Sequence, residues 1–101
     1  MRVPVELKIK YLKRRVQDID HLMSSLEDND FGPAMRFGHQ VKGNAQTFEF
    51  PQMAPLGVEI ENAAKDQDKK VIKEVAERMS LEIQQAQLTF PAGPKSSSLF
   101  V

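Results

Sequence analysis

The sequence of 101 residues contains no cysteine, which excludes disulfide bonds and thiolate metal sites. It also lacks any excess of charge of one sign, because 14 basic and 14 acidic residues give a formal net charge of zero. Nucleic-acid-binding domains usually carry a basic excess, so we expect no nucleic-acid partner. No apolar run approaches the ~20 residues that span a bilayer, and residues 1–15 carry charges throughout rather than a signal-peptide stretch. We therefore expect a cytoplasmic protein that does not dock on membranes.

The pattern of apolar residues predicts helices only. Hydrophobic residues make up 41% and charged residues 28% of the chain, the balance of an ordinary globular domain, and its length suits one domain with one core. We find no alternation of apolar and polar residues that would indicate a strand. Steps of three and four residues instead recur in four segments, as on one face of a helix. The four faces are Val5, Ile9, Leu12, Val16, Ile19, Met23 and Leu26; Phe31, Ala34, Gly38, Val41, Ala45 and Phe48; Met53, Leu56, Ile60 and Ala63; and Ile72, Val75, Met79, Ile83 and Ala86.

Short connectors separate the four predicted helices. Asn29-Asp30 ends the first segment, Phe50-Pro51 interrupts the chain after the second, and residues 66–68 supply a turn and a cap before the last. Four amphipathic helices joined in this way predict an all-α fold, an antiparallel up-down four-helix bundle over residues 1–90. Residues 91–101, which are rich in proline, glycine and serine, are predicted to form a flexible tail.

The phase of the second helix directs His39 to solvent. At 100° per residue, His39 lies about 200° around the helix from Val41, which is at the middle of the apolar face. Four residues share the face of His39, because they lie three, four or seven positions away: Arg36, Lys42, Gly43 and Gln46. A single exposed histidine is usually an ordinary surface residue, and two cations are expected on a solvated face. A glycine inside a helix needs a reason, since it costs about 1 kcal/mol relative to alanine. Either Gly43 permits close helix packing, or it gives another protein access to the imidazole.

The chemistry available to this face is phosphoryl transfer. A neutral imidazole nitrogen is a nucleophile near neutral pH and can form a covalent phosphoryl intermediate. Lys42 and Arg36 could stabilise the dianionic product electrostatically. Because an imidazole is also a good leaving group, such a transfer is reversible.

The segment around His39 resembles the signature of the histidine-phosphotransfer (HPt) domain family. His39 to Gly43 has the form H-x-x-K-G, and the run HQVKGNAQTFEF is similar to the phosphorylated domain of chemotaxis histidine kinases. The resemblance extends from about Val5 to Gln85 and includes Asp30-Phe31, the LGVEIENAAK segment and Asp68. It implies that His39 is the phosphorylated residue, Lys42 its cationic neighbour and Gly43 the access position. It also implies that Glu61 hydrogen-bonds the imidazole and raises its nucleophilicity.

The chain departs from the family at Glu49, where a glycine is usual. Either the helices are further apart at this point, or the second helix ends earlier. The resemblance implies a phosphocarrier rather than an enzyme, with no cofactor of its own and no metal. Its expected partner is a response regulator receiver domain, a sensor histidine kinase or both, contacted through Arg36, Gly43 and Gln46, and we expect a monomer.

Two other functions remain open at the level of the sequence. The chain could be a helical adaptor or scaffold bundle that binds a signalling partner without passing phosphate. It could also be a metal-binding bundle that uses His21, His39 and Glu61, although no H-x-x-x-H or H-E-x-x-H pair supports this. His21 lies off the first apolar face and is predicted to be a plain surface residue.

Overall fold

A computed structural model describes residues 2–90 of the chain, and these residues fold into helices without any strand. The four α-helices are α1 (Val5–Glu27), α2 (Gly32–Asn44), α3 (Ala54–Lys65) and α4 (Lys69–Leu88), and a short 3₁₀ helix (Pro51–Met53) leads into α3. The prediction of an all-α fold with four helices is confirmed. The tail predicted over residues 91–101 lies outside the described residues.

The helices begin and end at residues whose chemistry explains the boundary. Pro33 and Pro55 lie in the first turns of α2 and α3, where the missing N–H groups would have no helical partner. The Asp68 carboxylate accepts a hydrogen bond from the N–H of Val71 at 3.2 Å, and therefore caps α4. The Asp30 carboxylate likewise accepts from the N–H of Gly32, the first residue of α2, at 3.0 Å.

The core lies between the four helices, where α2 packs on α3, α3 on α4, and α1 on both α4 and α2. Its apolar side chains come from every helix and from the 3₁₀ helix. The largest side chains that are fully buried are Leu12, Leu22, Leu26, Val41, Met53, Ile60, Ile72, Val75, Met79 and Ile83. The apolar faces predicted for α3 and α4 are buried throughout.

The face predicted for α1 is wrong at two positions. Val5 and Val16 were predicted to face the core, yet they are 46% and 39% exposed, and Arg15 is buried in place of Val16. The Arg15 guanidinium lies 4.6 Å from the centroid of the Tyr11 ring and 2.8 Å from a carboxylate oxygen of Asp18. An arginine can be buried when its stem packs on apolar groups and its charge is paired, and here Arg15 takes the buried position expected for Val16.

The backbones of α2 and α3 touch at two glycines. A Cβ atom on Gly38 would lie 2.5 Å from the amide nitrogen of Glu61 and 2.6 Å from the carbonyl oxygen of Gly57. A Cβ atom on Gly57 would lie 2.9 Å from both the carbonyl oxygen of Gly38 and the amide nitrogen of Lys42. Neither position has room for a side chain, and the contact places the residues after Gly38 directly beside Glu61.

Glu49 occupies the last position of the turn that follows α2. Its φ of 71° lies in the left-handed region, which favours glycine, and α2 has already ended at Asn44. The second alternative for this position, an earlier helix end, therefore holds. The Glu49 carboxylate pairs with the Lys8 ammonium at 2.7 Å and accepts from the Val3 N–H at 3.1 Å. These contacts with the start of α1 offset the cost of a left-handed glutamate.

Candidate functional site

His39 projects from the outer side of α2. Its side chain is 68% exposed, whereas Val41, two residues further on, is fully buried. The buried side of α2 is fixed against α3 by Gly38 and Val41, and this phase leaves the imidazole on the surface. The helical spacing alone already indicated this orientation.

Glu61 of α3 is the residue that His39 contacts. The Glu61 side chain is only 10% exposed, and its Oε2 atom lies 3.2 Å from His39 Nδ1. Its other oxygen, Oε1, lies 3.0 Å from the Lys42 ammonium. The hydrogen bond from Lys42, together with that from His39, holds the pKa of Glu61 below its ordinary value, although burial acts in the opposite direction. The carboxylate is therefore ionised at neutral pH.

An ionised carboxylate determines which nitrogen of the neutral imidazole carries the proton. Since the carboxylate can only accept hydrogen bonds, the Nδ1 atom of His39 must donate to Glu61. The lone pair of the neutral ring is then on Nε2, the nitrogen on the other side of the ring. The pair thus presents a fixed tautomer with Nε2 as the nucleophilic atom.

Lys65 is a member of this site that sequence reasoning missed. Its ammonium lies 4.0 Å from Glu61 Oε2, the oxygen that also contacts His39. The only available signal was its spacing, since Lys65 follows Glu61 by four residues and so lies one helical turn away. Without the position of Glu61 in the fold, this spacing could not distinguish Lys65 from any other surface lysine.

The structure decides whether Gly43 serves helix packing or leaves space at the surface. A Cβ atom built at Gly43 would meet nothing within 4 Å, so Gly43 does not serve close packing within the bundle. The packing glycines are Gly38 and Gly57 instead. Gly43 follows Lys42 on the exposed side of α2 and leaves the surface beside His39 open.

The remaining predicted contact residues lie on two sides of His39. Arg36 is exposed and lines a depression next to His39 together with Met35 and Gln40. Gln46 is exposed and lies in the turn after α2, two residues beyond Asn44, the last residue of the helix.

Neither a metal site nor a membrane span is found in the described part of the chain. Residues 2–90 contain no group of three histidine, cysteine, aspartate or glutamate side chains that could hold a metal ion. None of the helices over these residues is both long and apolar enough to cross a membrane. His21 is exposed on α1 and forms no contact with Glu61.

Comparison with known families assigns the chain to one of them. The family model described as Hpt domain matches residues 6–89, which include all four helices apart from the first residue of α1. The chain belongs to the Hpt domain family. Hpt domains are helical bundles that carry phosphate on a histidine in two-component phosphorelays, and they interact with kinases and response regulators as phosphocarriers rather than as classical enzymes. No curated protein and no solved structure gives a match to the chain.

Proposed function

We propose that this Hpt domain accepts a phosphoryl group on Nε2 of His39 and exchanges it with the aspartate of a response regulator receiver domain. The observation that supports this most directly is the 3.2 Å contact between His39 Nδ1 and a nine-tenths buried carboxylate. That contact directs the lone pair of an exposed imidazole to Nε2, where a partner can reach it. A histidine with a merely structural role would have no need of this arrangement at the surface.

In the transfer step, one bond to phosphorus forms and one breaks, and no proton has to leave the site. The Nε2 lone pair forms a P–N bond to the phosphorus of the aspartyl phosphate, while the bond from phosphorus to the aspartyl oxygen breaks and the free carboxylate departs. The ring keeps its proton on Nδ1 and gains positive charge. Glu61 stabilises that charge through the Nδ1 contact, as a buried carboxylate does for an imidazolium. Because the ring is a good leaving group, the same steps run in reverse.

The neighbours of His39 have separate roles in this proposal. Lys42 lies one helical turn from His39, within reach of the phosphoryl oxygens through its flexible side chain. Arg36 contributes further positive charge, and Gly43 leaves room for the approaching receiver domain. Gln46, in the turn beyond α2, borders the same approach.

The proposal also covers the location of the protein, its oligomeric state and its dependence on partners. The domain works in the cytoplasm as a monomer, depends on a partner kinase or regulator for its phosphate, and uses no cofactor of its own. Its helices run up and down in antiparallel order over residues 1–90, which the short connections between α1 and α2 and between α3 and α4 support.

Phosphate transfer from receiver-domain proteins of the source organism tests the function. Each receiver domain is charged with labelled acetyl phosphate and incubated with the wild-type protein and with the variants His39→Gln and His21→Gln. We expect acid-labile label on the wild type and on His21→Gln, and none on His39→Gln. We also expect unchanged melting of His39→Gln, because an exposed side chain contributes little to the core.

Two outcomes would contradict the proposal. Label on His39→Gln would show that the acceptor is another residue. A wild-type protein that binds a receiver domain but never gains label would be an adaptor bundle instead.

A further inference from the structure

Two lysines from different helices share the carboxylate of Glu61. The Lys42 ammonium lies 3.0 Å from Oε1, which is a direct ion pair, whereas the Lys65 ammonium lies 4.0 Å from Oε2, at the outer limit of one. In the unphosphorylated protein, Lys42 is therefore engaged with Glu61 rather than waiting at His39 for a phosphoryl group.

The three side chains differ in how freely they can move. Glu61 is 10% exposed, while the side chains of Lys42 and Lys65 are 44% and 58% exposed. A carboxylate that is largely removed from water needs a paired cation or hydrogen-bond donors, because an unpaired buried charge is strongly unfavourable. The lysines, in contrast, are point charges on flexible stems that are about half exposed to solvent.

Phosphorylation changes the competition for Lys42. A phosphoryl group on His39 adds nearly two negative charges and three acceptor oxygens, one helical turn from Lys42 on α2. Lys65 is on α3, four residues after Glu61, in the spacing that brings an ammonium onto a carboxylate of the same helix. It can close the remaining distance to Glu61 by side-chain rotation alone.

We propose that Lys65 is a positioning residue that replaces Lys42 at Glu61 when phosphorylation of His39 draws Lys42 to the phosphoryl group. The exchange keeps Glu61 paired, so the Nδ1 contact that holds the imidazole persists in both states. This inference rests on the proposed function, since it assigns Lys65 a part in the phosphorylated form of the same site.

The first test uses the unphosphorylated protein and does not depend on a partner. The carboxyl carbon of Glu61 is titrated by NMR in the wild type, Lys42→Gln, Lys65→Gln and the double variant. If Lys65 replaces Lys42, each single variant shifts the titration of Glu61 upward by a small amount, because one lysine remains. The double variant then shifts it by more than the sum of the two single shifts. If the shifts of the two single variants simply added up in the double variant, Lys65 would not replace Lys42 at Glu61.

The second test measures the equilibrium of transfer from a labelled receiver domain to His39. Lys65→Gln should lower the equilibrium constant for phosphorylation of His39 about fivefold, the size of a good ion pair. Lys65→Arg should restore it, because the charge and the reach are kept. Lys70→Gln is the matched control and should equal the wild type, because it removes one exposed lysine of α4 that makes no ion pair in the described structure.

The outcomes separate this inference from the function on which it rests. If the wild type takes up label normally and Lys65→Gln has the same equilibrium constant as Lys70→Gln, the role of Lys65 is wrong. The proposed function would still stand in that case. A wild-type protein without label from any receiver domain would overturn the proposed function and the inference with it.

Discussion

In the unphosphorylated protein, Lys42 forms an ion pair with Glu61, so replacing Lys42 affects both phosphate transfer and stability. Lys42→Ala should slow transfer to His39 by about tenfold or more, because the developing phosphoryl charge loses a cation one helical turn from His39. The free energy of unfolding should fall by no more than about 1 kcal/mol, since Lys65 remains near the same carboxylate. Rapid-quench transfer rates and thermal melts measure the two effects. An unchanged rate would reduce Lys42 to an ordinary surface cation.

Gly43 offers a substitution that separates stability from access. Because a Cβ atom there meets nothing within 4 Å, Gly43→Ala should raise the free energy of unfolding by up to about 1 kcal/mol through helix propensity. Gly43→Gln should melt at the same or a higher temperature than the wild type, yet exchange phosphate with the receiver domain more slowly. The rate must be measured with the protein partner, because access by a domain is at issue. If Gly43→Gln exchanged phosphate with the receiver domain at the wild-type rate, Gly43 would not be needed for access of the partner to His39.

At the scale of the helices, the contact between α2 and α3 determines the geometry of the site. Gly38→Ala places a methyl group 2.5 Å from the amide nitrogen of Glu61, and backbone atoms cannot move aside as a flexible side chain can. We expect a loss of about 1–3 kcal/mol of stability. We also expect slower phosphotransfer, because separated helices lengthen the contact between His39 and Glu61.

Gly43→Ala is the control for this prediction, since it adds the same methyl group to the same helix in open space. Urea unfolding of both variants gives the comparison. If Gly38→Ala were as stable as Gly43→Ala, the two helices would have to adjust more easily than their direct backbone contact indicates.

The faces of the helices show how far the sequence could predict the fold. Spacing alone identified the buried sides of α3 and α4, and it placed His39 on the surface, because apolar periodicity follows burial closely. It failed at two positions of α1, Val5 and Val16, and Arg15 is buried in place of Val16. Arginine counts as polar in any periodic pattern, and its ring contact with Tyr11 depends on tertiary structure that spacing does not contain.

Helical spacing related His39 to Lys42, the family resemblance alone added Glu61, and the structure brings the three side chains into contact. Gly57 was missed because it packs against α2, and Lys65 was missed because it matters only through Glu61, whose other partners are on α2. Their relevance depends on which residues of α2 lie opposite them. The register between two helices is decided by packing over their whole length and cannot be read from one segment.

For the whole molecule, the two carboxylates with lowered pKa values predict how stability depends on pH. Hydrogen bonds from Lys8 and the Val3 N–H hold the pKa of Glu49 below its ordinary value, and the Lys42 bond does so for Glu61. The unfolded chain then binds more protons than the folded one in the acidic range. The stability from these pairs is present above the ordinary glutamate pKa of 4.5 and is lost as the pH falls through the lower folded values.

Glu49→Gln should therefore show a shallower loss of stability between neutral and acidic pH than the wild type. Its stability at neutral pH should also be lower, because the pair with Lys8 is gone. Glu27→Gln is a suitable control, as Glu27 is exposed and makes no ion pair among the described residues. Chemical unfolding at a series of pH values gives both curves. Parallel curves for Glu49→Gln and the wild type would show that the Glu49 pair has no net effect.

The direct contact between the backbones of α2 and α3 also has a consequence for hydrogen exchange. The amide nitrogens of Lys42 and Glu61 lie at that contact, enclosed by the facing helix, although the side chains of Lys42 and His39 extend into water. We expect these amides to exchange with deuterium slowly, because exchange would require the two helices to separate. His39 therefore combines a side chain that is exposed to solvent with a position between Gly38 and Lys42, where the backbone of α2 is fixed against α3. A receiver domain would meet a site whose backbone is already in place, so that phosphate transfer would not require the helices to become ordered first.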